Sequence, residues 1–184
     1  MNKILFFGDS LTAGYGLSNV QDESFPGLIE AKIKSAGLDY HIINAGLSGD
    51  TSSGGLARID YWLSQPISIF ILELGINDIL RGIQPASTLQ NLQQIINKVK
   101  AKNPDVKMAL MGMEIPAFIP GAFAAEFRSI FRKLADKNQM AFVPFFLAGV
   151  AGQAHLNLQD GLHPSAEGYK IIAEKVWPVI EEML

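Results

Sequence analysis

Two hydrophobic patterns alternate along the chain, and they predict alternating strands and helices. Short, unbroken apolar runs are typical of parallel strands that are buried on both faces. Three clear runs lie at residues 4–7, 67–72 and 108–111, and two weaker ones lie at residues 40–44 and 141–144. These five segments are the predicted strands.

Between the strands, apolar residues recur every three or four positions, which is the spacing of one helix face. Pro26 suits the first turn of a helix, Gly37 suits a C-terminal cap and Ser165 suits an N-cap. Pro178 is expected to kink or distort the last helix because proline has no N–H to donate. The predicted helices cover residues 26–36, 52–63, 85–102, 123–134 and 165–183.

Alternating strands and helices indicate βαβ units around a mainly parallel sheet, and therefore an α/β fold. In such a sheet, functional groups collect in the loops beyond the carboxyl ends of the strands. Ser10, Gly46, Asn77 and Glu114 each follow a predicted strand, so we expect them along one edge. The sequence has no repeat, linker or low-complexity segment, and residues 1–184 are predicted to form a single domain.

The composition narrows the classes of function. With 184 residues, 48% hydrophobic and 18% charged, the chain can bury a full core and has no signature of disorder. A net charge of −3 and the lack of a basic run argue against a nucleic-acid partner. No apolar run reaches the roughly 18 residues of a membrane span, so we expect no stable membrane insertion. The absence of cysteine excludes thiolate metal sites, disulfides and a cysteine nucleophile.

Ser10 is the candidate nucleophile. It lies in the segment Gly8-Asp9-Ser10-Leu11, directly after the first predicted strand. A serine hydroxyl stays protonated at neutral pH, so it needs a base within hydrogen-bond reach and a third group that orients the base. The alternative is that Ser10 is an ordinary turn or capping residue, as serines after strands commonly are.

His163 is the candidate base because Asp160 precedes it by three residues, with Gly161 between them to permit a tight turn. Such a turn can place the carboxylate beside Nδ1 while Nε2 points at the serine. The alternative is an Asp/His turn that caps the last helix. His41 falls in a predicted strand, where it packs or lies at the surface, and His155 has no acidic residue near it before Asp160. A serine, an imidazole and a carboxylate together make hydrolysis through an acyl-serine intermediate the leading hypothesis.

Acyl transfer also needs donors for a developing oxyanion, and each such donor can stabilise it by roughly 3 kcal/mol. The candidates are the Asn77 side chain and the backbone N–H groups of Gly46 and Ser10, although each has an alternative explanation as a turn residue. The remaining carboxylates near strand ends are expected to tie loops together or to cap helices: Asp9, Asp50 and Asp78. No His, Asp and Glu grouping has metal-ligand spacing, so neither metal nor cofactor is expected.

Four short segments, in the order in which they occur along the chain, resemble the conserved blocks of the SGNH hydrolases, also called the GDSL family. The resemblance implies a flavodoxin-like, three-layer α/β/α fold with a five-stranded parallel sheet. It implies Ser10 as nucleophile, His163 as base and Asp160 as the orienting carboxylate, with Ser10, Gly46 and Asn77 forming the oxyanion hole. The segments are Gly8-Asp9-Ser10-Leu11, Asn44-Ala45-Gly46, Gly75-Ile76-Asn77-Asp78 and Asp160-Gly161-Leu162-His163-Pro164.

Further segments are similar to the bacterial branch of multifunctional thioesterase I/lysophospholipase L1/arylesterase enzymes. This branch implies a small acyl or aryl ester as substrate, and a periplasmic or secreted location with the leader removed, although a cytoplasmic location stays open. In the third block, Ile76 stands where the family usually has a second glycine, and isoleucine disfavours positive φ and adds bulk near the acyl path. The further segments are Gly49-Asp50-Thr51-Ser52, Gly55-Leu56-Ala57-Arg58, Leu80-Arg81-Gly82 and Pro144-Phe145-Phe146.

Two apolar segments, residues 145–150 and 113–121, are expected to flank a cleft for the acyl or aryl group, or simply to cover the core. A second enzyme hypothesis is deacetylation of carbohydrates, which the same family performs. A hypothesis of another class is a nucleotide- or flavin-binding module, because the loop after the first strand could hold phosphate. That loop has no Walker pattern, however, and the hypothesis gives Asp160 and His163 no task.

Overall fold

The computed structural model describes residues 2–114 and 120–184. Five parallel strands form one sheet in the order β2-β1-β3-β4-β5. The predicted α/β fold with a five-stranded parallel sheet is therefore confirmed. The strands are β1 Asn2–Gly8, β2 Tyr40–Gly46, β3 Ile69–Glu73, β4 Lys107–Met111 and β5 Ala141–Val143.

Helices cover both faces of the sheet. On one face α4 packs against α6 and α6 against α7, while α3 and α8 pack together on the other. Within the described residues, no helix combines the length and the apolar character that crossing a bilayer requires. The helices are α1 Ser10–Ala13, α2 Val20–Glu23, α3 Phe25–Ser35, α4 Ser52–Trp62, α5 Ile76–Leu80, α6 Pro85–Lys102, α7 Ala122–Asn138 and α8 Ala166–Glu181, with a 3-10 turn at Ala154–Leu156.

The apolar runs form strands because both faces of the sheet are buried. Every residue of β3 is buried, and so are Ile4–Gly8 of β1. Extended backbone in that position satisfies its N–H and C=O groups in the ladder while its side chains pack against helices on both sides. All five predicted strands are present, although β3 begins at Ile69 and ends at Glu73, one residue beyond the apolar run.

The predicted helices are also present, and their ends follow the capping rules. Ser165 Oγ accepts from the N–H of Gly168 at the start of α8. At the end of α3, Ala36 is the cap and Gly37 follows it at a φ of 71°. Helix α8 continues through Pro178 to Glu181, and a kink at Pro178 stays a prediction. The sequence pattern missed the three short helices α1, α2 and α5.

The strand order places a switch point beside β1. The connection from β1 leads to β2 on one side, whereas β3 lies on the other side of β1. Ligands bind in the crevice beyond the carboxyl ends of strands where the order reverses in this way. Ser10 follows β1 and Asn77 follows β3, so both residues stand at this crevice.

Tyr169 links helix α8, near the C-terminus, to helix α1, which follows β1. It is fully buried on α8, and its hydroxyl donates to the carbonyl of Leu11 at 2.8 Å. We predict that Tyr169→Phe lowers the free energy of unfolding by about 1 kcal/mol or more, because the buried carbonyl loses its donor. Urea denaturation measures this change. Tyr61→Phe is the control, since Tyr61 is 75% exposed and its replacement should change stability by less than about 0.5 kcal/mol.

Candidate active site

Ser10, His163 and Asp160 form one hydrogen-bonded chain. His163 Nε2 lies 2.9 Å from Ser10 Oγ, and His163 Nδ1 lies 2.7 Å from Asp160 Oδ2. Because Asp160 accepts at Nδ1, the imidazole proton resides there and leaves Nε2 free to accept from the serine hydroxyl. The structure thus brings the three predicted catalytic residues together, in the connectivity that activates a serine.

The loop between the 3-10 turn and α8 holds the imidazole in this orientation. The N–H of Leu158 donates to the carbonyl of His163 at 2.7 Å, and Gly161 adopts a φ of 71° at the tip. Asp160 Oδ1 accepts from the backbone N–H groups of Leu162 and His163. These two N–H donors and the His163 side chain lower the pKa of Asp160 to about 2, although 41% of its side chain is exposed.

Ser10 is the first residue of helix α1. Asp9 caps this helix, as its Oδ1 accepts from the N–H of Leu11 at 2.9 Å. Ser10 is 6% exposed, and its backbone N–H has no acceptor among the described residues. That N–H is therefore available to a ligand oxygen beside the hydroxyl.

The other two predicted oxyanion donors, at the end of β2 and in α5, contact the turn that carries Ser10 but already have acceptors. Asn77 Nδ2 donates to Asp9 Oδ2 at 3.1 Å and to the carbonyl of Asp50 at 2.9 Å. The N–H of Gly46 donates to Asn44 Oδ1 at 3.0 Å. A substrate oxygen that uses these donors must share them with, or take them from, acceptors of the protein itself.

Gly46 has a steric reason to be glycine. A Cβ at this position would lie 2.2 Å from Ala13 N and 2.6 Å from Ala13 Cα, both of which are backbone atoms of the α1 turn. The end of β2 therefore packs directly against the backbone of the turn that carries Ser10. Any side chain at position 46 would push that turn away.

Arg58 connects the ends of β1 and β2, and sequence reasoning gave it no task of its own. Its guanidinium donates to the carbonyls of Gly8 and Ala45 and forms a 2.7 Å ion pair with Asp50. It also lies 4.0 Å from the centroid of the Phe7 ring. The predicted loop role of Asp50 is thus fulfilled through Arg58.

Asp78 also connects loops, because its carboxylate accepts hydrogen bonds from Ser52 and Thr88.

Two residues near the site, Tyr15 and Glu73, were not identified from the sequence. Tyr15 is 51% exposed, and its ring centroid lies 4.6 Å from that of His163. Its position between two glycines in a loop after the nucleophile was the available signal. Glu73 is 1% exposed at the end of β3, where a charged residue after an unbroken apolar run was the signal.

His41 and His155 are exposed and take no part in the site. In residues 2–114 and 120–184, no cluster of three or more His, Cys, Asp and Glu side chains is placed to hold a metal ion.

An apolar cavity of about 420 Å³ adjoins this chain of residues. It begins beside Asn77 at Ile76 and reaches Gly161 and Leu162, which stand between Asp160 and His163. Both predicted apolar segments contribute to it, except that residues 115–119 lie outside the described residues. The other lining residues are Ile79, Met113, Pro120, Phe123, Ala124, Phe145, Leu147 and Ala151.

Ile76 fits the third block without backbone strain. The positive φ of this turn, 132°, falls on Gly75, and Ile76 is the first residue of α5. A Cβ on Gly75 would meet the Phe131 ring at 2.8 Å, so glycine is required there for space as well as for conformation. Ile76 instead adds its bulk to the wall of the apolar cavity.

We predict that Asp160 contributes to acid stability. The folded pKa lies below the unfolded value of about 3.9, so its contribution is complete above about pH 4 and is lost as the pH falls through about 2. The free energy of unfolding of the wild type should therefore fall more steeply over this window than that of Asp160→Asn. Urea denaturation at a series of pH values measures the difference, and parallel curves would contradict it.

Comparison with known proteins places nearly the whole chain in one family. Residues 6–171 match the GDSL-like Lipase/Acylhydrolase family. Esterase TesA of Pseudomonas aeruginosa is 35% identical over 182 residues, which cover 98% of this chain and 89% of that protein. Thioesterase 1/protease 1/lysophospholipase L1 of Escherichia coli (strain K12) is 38% identical over 172 residues, with 93% and 79% covered.

A crystal structure of TesA superimposes with a TM-score of 0.91 at 34% identity, and all of both chains is covered. The family match, the identity to these relatives and the shared fold agree with one another. The chain belongs to the GDSL-like lipase/acylhydrolase family.

Proposed function

We propose that Ser10, His163 and Asp160 are the catalytic residues of a serine ester hydrolase that cleaves carboxylic esters or thioesters. That the chain is an ester hydrolase follows from its family and from the names of its relatives, which are an esterase and a thioesterase/lysophospholipase. The observation that carries the residue assignment is the 2.9 Å contact between Ser10 Oγ and His163 Nε2, with Asp160 on the far nitrogen.

In the first half of the reaction, His163 Nε2 takes the proton from Ser10 as Oγ attacks the carbonyl carbon of the substrate. The imidazolium that forms is stabilised by the Asp160 carboxylate at Nδ1. The C–O or C–S bond then breaks, and His163 gives its proton to the leaving alcohol or thiol. An acyl group remains on Ser10.

In the second half, water attacks the acyl-serine while His163 Nε2 accepts a proton from it. Collapse of the second tetrahedral intermediate returns that proton to Ser10 Oγ and releases the carboxylic acid. Throughout, the negative oxygen is held by Ser10 N–H, with Gly46 N–H and the Asn77 amide as the further donors of the oxyanion hole.

The apolar cavity supports an acyl or aryl group as the part of the substrate that the enzyme recognises. Every lining residue is apolar, and the cavity lies between the segment of Asn77 and the loop of His163. Transfer of an acyl chain from water into such a cavity is favourable by about 0.8 kcal/mol of free energy for each CH₂ group that is buried. Neither a sugar nor a phosphate finds polar partners on such a wall, so this cavity favours an acyl or aryl ester over an acetylated carbohydrate or a nucleotide.

A periplasmic or secreted location remains part of the proposal. It rests on the resemblance to the bacterial branch of multifunctional thioesterase I/lysophospholipase L1/arylesterase enzymes, and fractionation of cells followed by immunodetection of the protein tests it. Detection in the cytoplasmic fraction alone would contradict this part of the proposal and would leave the catalytic assignment unchanged.

We predict that Ser10→Ala abolishes hydrolysis of a p-nitrophenyl ester, because the acyl-serine intermediate cannot form. The fold should remain, since within residues 2–114 and 120–184 the hydrogen-bond partner of Ser10 Oγ is His163 alone. Ser53→Ala, an exposed serine on α4, is the matched control and should retain full activity. Fluorophosphonate treatment followed by mass spectrometry should give one adduct on Ser10. Undiminished turnover by Ser10→Ala would remove Ser10 from the mechanism.

We further predict that Ala151→Trp shifts the preference toward short acyl chains. Ala151 is exposed and lines the cavity, so the indole narrows the acyl site while the core stays intact. The value of kcat/KM for a long-chain p-nitrophenyl ester should fall about tenfold or more relative to the acetate ester. Ala101→Trp, at the exposed end of α6, is the control. Equal losses for long and short esters would argue against an acyl site here.

A further inference from the structure

Beneath the nucleophile lies a pair of carboxyl groups that the reaction sequence does not use. Asp9 is 0% exposed and Glu73 is 1% exposed, and the two residues are in contact because the backbone N–H of Asp9 donates to Glu73 Oε2. Gly8 and Glu73 are direct neighbours in the β1–β3 ladder, and a Cβ on Gly8 would lie 2.6 Å from Glu73 Oε2. The pair therefore stands immediately behind the turn that carries Ser10.

The hydrogen-bond donors around the pair indicate a different protonation state for each carboxyl group. Asp9 needs to be an acceptor at both oxygens, because Oδ1 accepts from the N–H of Leu11 and Oδ2 accepts from the Asn77 amide. Glu73 Oε2 accepts from Thr12 Oγ1 at 2.8 Å and from the N–H of Asp9 at 3.3 Å. Glu73 Oε1 is buried and has no hydrogen-bond partner in the described part of the chain.

An ionised carboxylate oxygen that is buried without a donor is costly, whereas a protonated one is itself a donor. Two adjacent buried carboxylates would also repel each other with little water to screen them. Protonating Glu73 removes both costs, because its O–H then has the Asp9 carboxylate as acceptor. The pair would carry one negative charge and one shared hydrogen bond.

We propose that Glu73 is a positioning residue that keeps its proton at neutral pH, donates to the Asp9 carboxylate and thereby holds Asn77 in place for the oxyanion. Glu73 touches neither substrate nor the reacting atoms. Its effect passes through Asp9 Oδ2 to Asn77 Nδ2, which lie 3.1 Å apart. The part that concerns the oxyanion rests on the proposed function, whereas the protonation state of Glu73 does not.

The surroundings favour this state. Burial raises the pKa of both carboxyl groups, that of Asp9 to about 7 and that of Glu73 well above its usual range, and the charge of Asp9 raises the pKa of Glu73 further. The pair therefore holds a proton near neutral pH, and the donors to both Asp9 oxygens place it on Glu73. The charged or titratable groups near the pair are Asp50, whose charge is met by Arg58 at 2.7 Å, and Tyr169 from α8. Since Arg58 is committed to Asp50, it does not neutralise a second charge on the pair.

The variants Glu73→Gln and Glu73→Met test whether the hydrogen bond that Glu73 donates, rather than the volume of its side chain, is what activity requires. Glutamine keeps a donor toward Asp9 and an acceptor toward Thr12 but cannot ionise, whereas methionine has similar length and no donor. We expect Glu73→Gln to retain kcat within about threefold, and Glu73→Met to lose about tenfold or more in kcat with little change in KM. Equal, large losses for both variants would overturn the assignment.

The pH profile gives a second readout that packing alone would not move. The wild-type kcat/KM for a p-nitrophenyl ester should fall at alkaline pH as Glu73 ionises, whereas Glu73→Gln should stay level over the same range. The free energy of unfolding of the wild type should also fall, relative to that of Glu73→Gln, toward alkaline pH. The folded state binds the Glu73 proton more tightly than the unfolded state, so the wild type loses stability relative to Glu73→Gln as the pH rises. Superimposable profiles would contradict the proposal.

Infrared difference spectra test the proton directly. The wild type minus Glu73→Gln should show the C=O band of a protonated carboxyl group at neutral pH, and the band should disappear at alkaline pH. Asp78→Asn is the contrasting variant, because Asp78 is buried but has Ser52 and Thr88 as donors, so its removal should leave the band in place. Absence of the band in the wild type would overturn the proposal, whatever Ser10→Ala does to turnover.

Discussion

The contact between Ser10 Oγ and His163 Nε2 joins residues 153 positions apart, and the catalytic role proposed for the two residues depends on it. A contact of hydrogen-bond length between chain ends needs a rigid body between them. Strand β1, which lies between β2 and β3, delivers Ser10, and buried Tyr169 of α8 donates to the carbonyl of Leu11 in the turn that follows. The close-packed core thus sets the distance between nucleophile and base.

Carboxyl groups at this edge of the sheet take opposite protonation states according to their surroundings. Asp160 is partly exposed and accepts from two backbone N–H groups, so it is ionised over the range in which an imidazole base works. Asp9 and Glu73 are buried together, where a second negative charge has no partner. The same functional group can therefore orient a base in one position and, in the neutral form, support a donor in another.

The strands could be predicted from the sequence because they depend on a local signal, whereas the candidate residues Ser10, Asp160 and His163 were reached through the resemblance of four separate segments to a known family. Unbroken apolar runs mark buried strands, but the four-residue turn from Asp160 to His163 could equally have capped the last helix. The tasks of Arg58 and Glu73 could not be read in this way, because each is defined by partners from other strands and loops. Ile76 shows a further limit: it lines the cavity without strain because Gly75 alone takes the positive φ.

The occupied donors of the oxyanion site bear on how the enzyme would distinguish a transition state from a bound ester. Gly46 N–H and the Asn77 amide already donate to Asn44, Asp9 and the Asp50 carbonyl. A neutral ester carbonyl gains little by displacing such acceptors. An oxyanion gains more, because hydrogen bonds to a charged acceptor are roughly twice as strong. Competition within the protein therefore weakens ground-state binding more than transition-state binding, and only the difference between the two raises kcat.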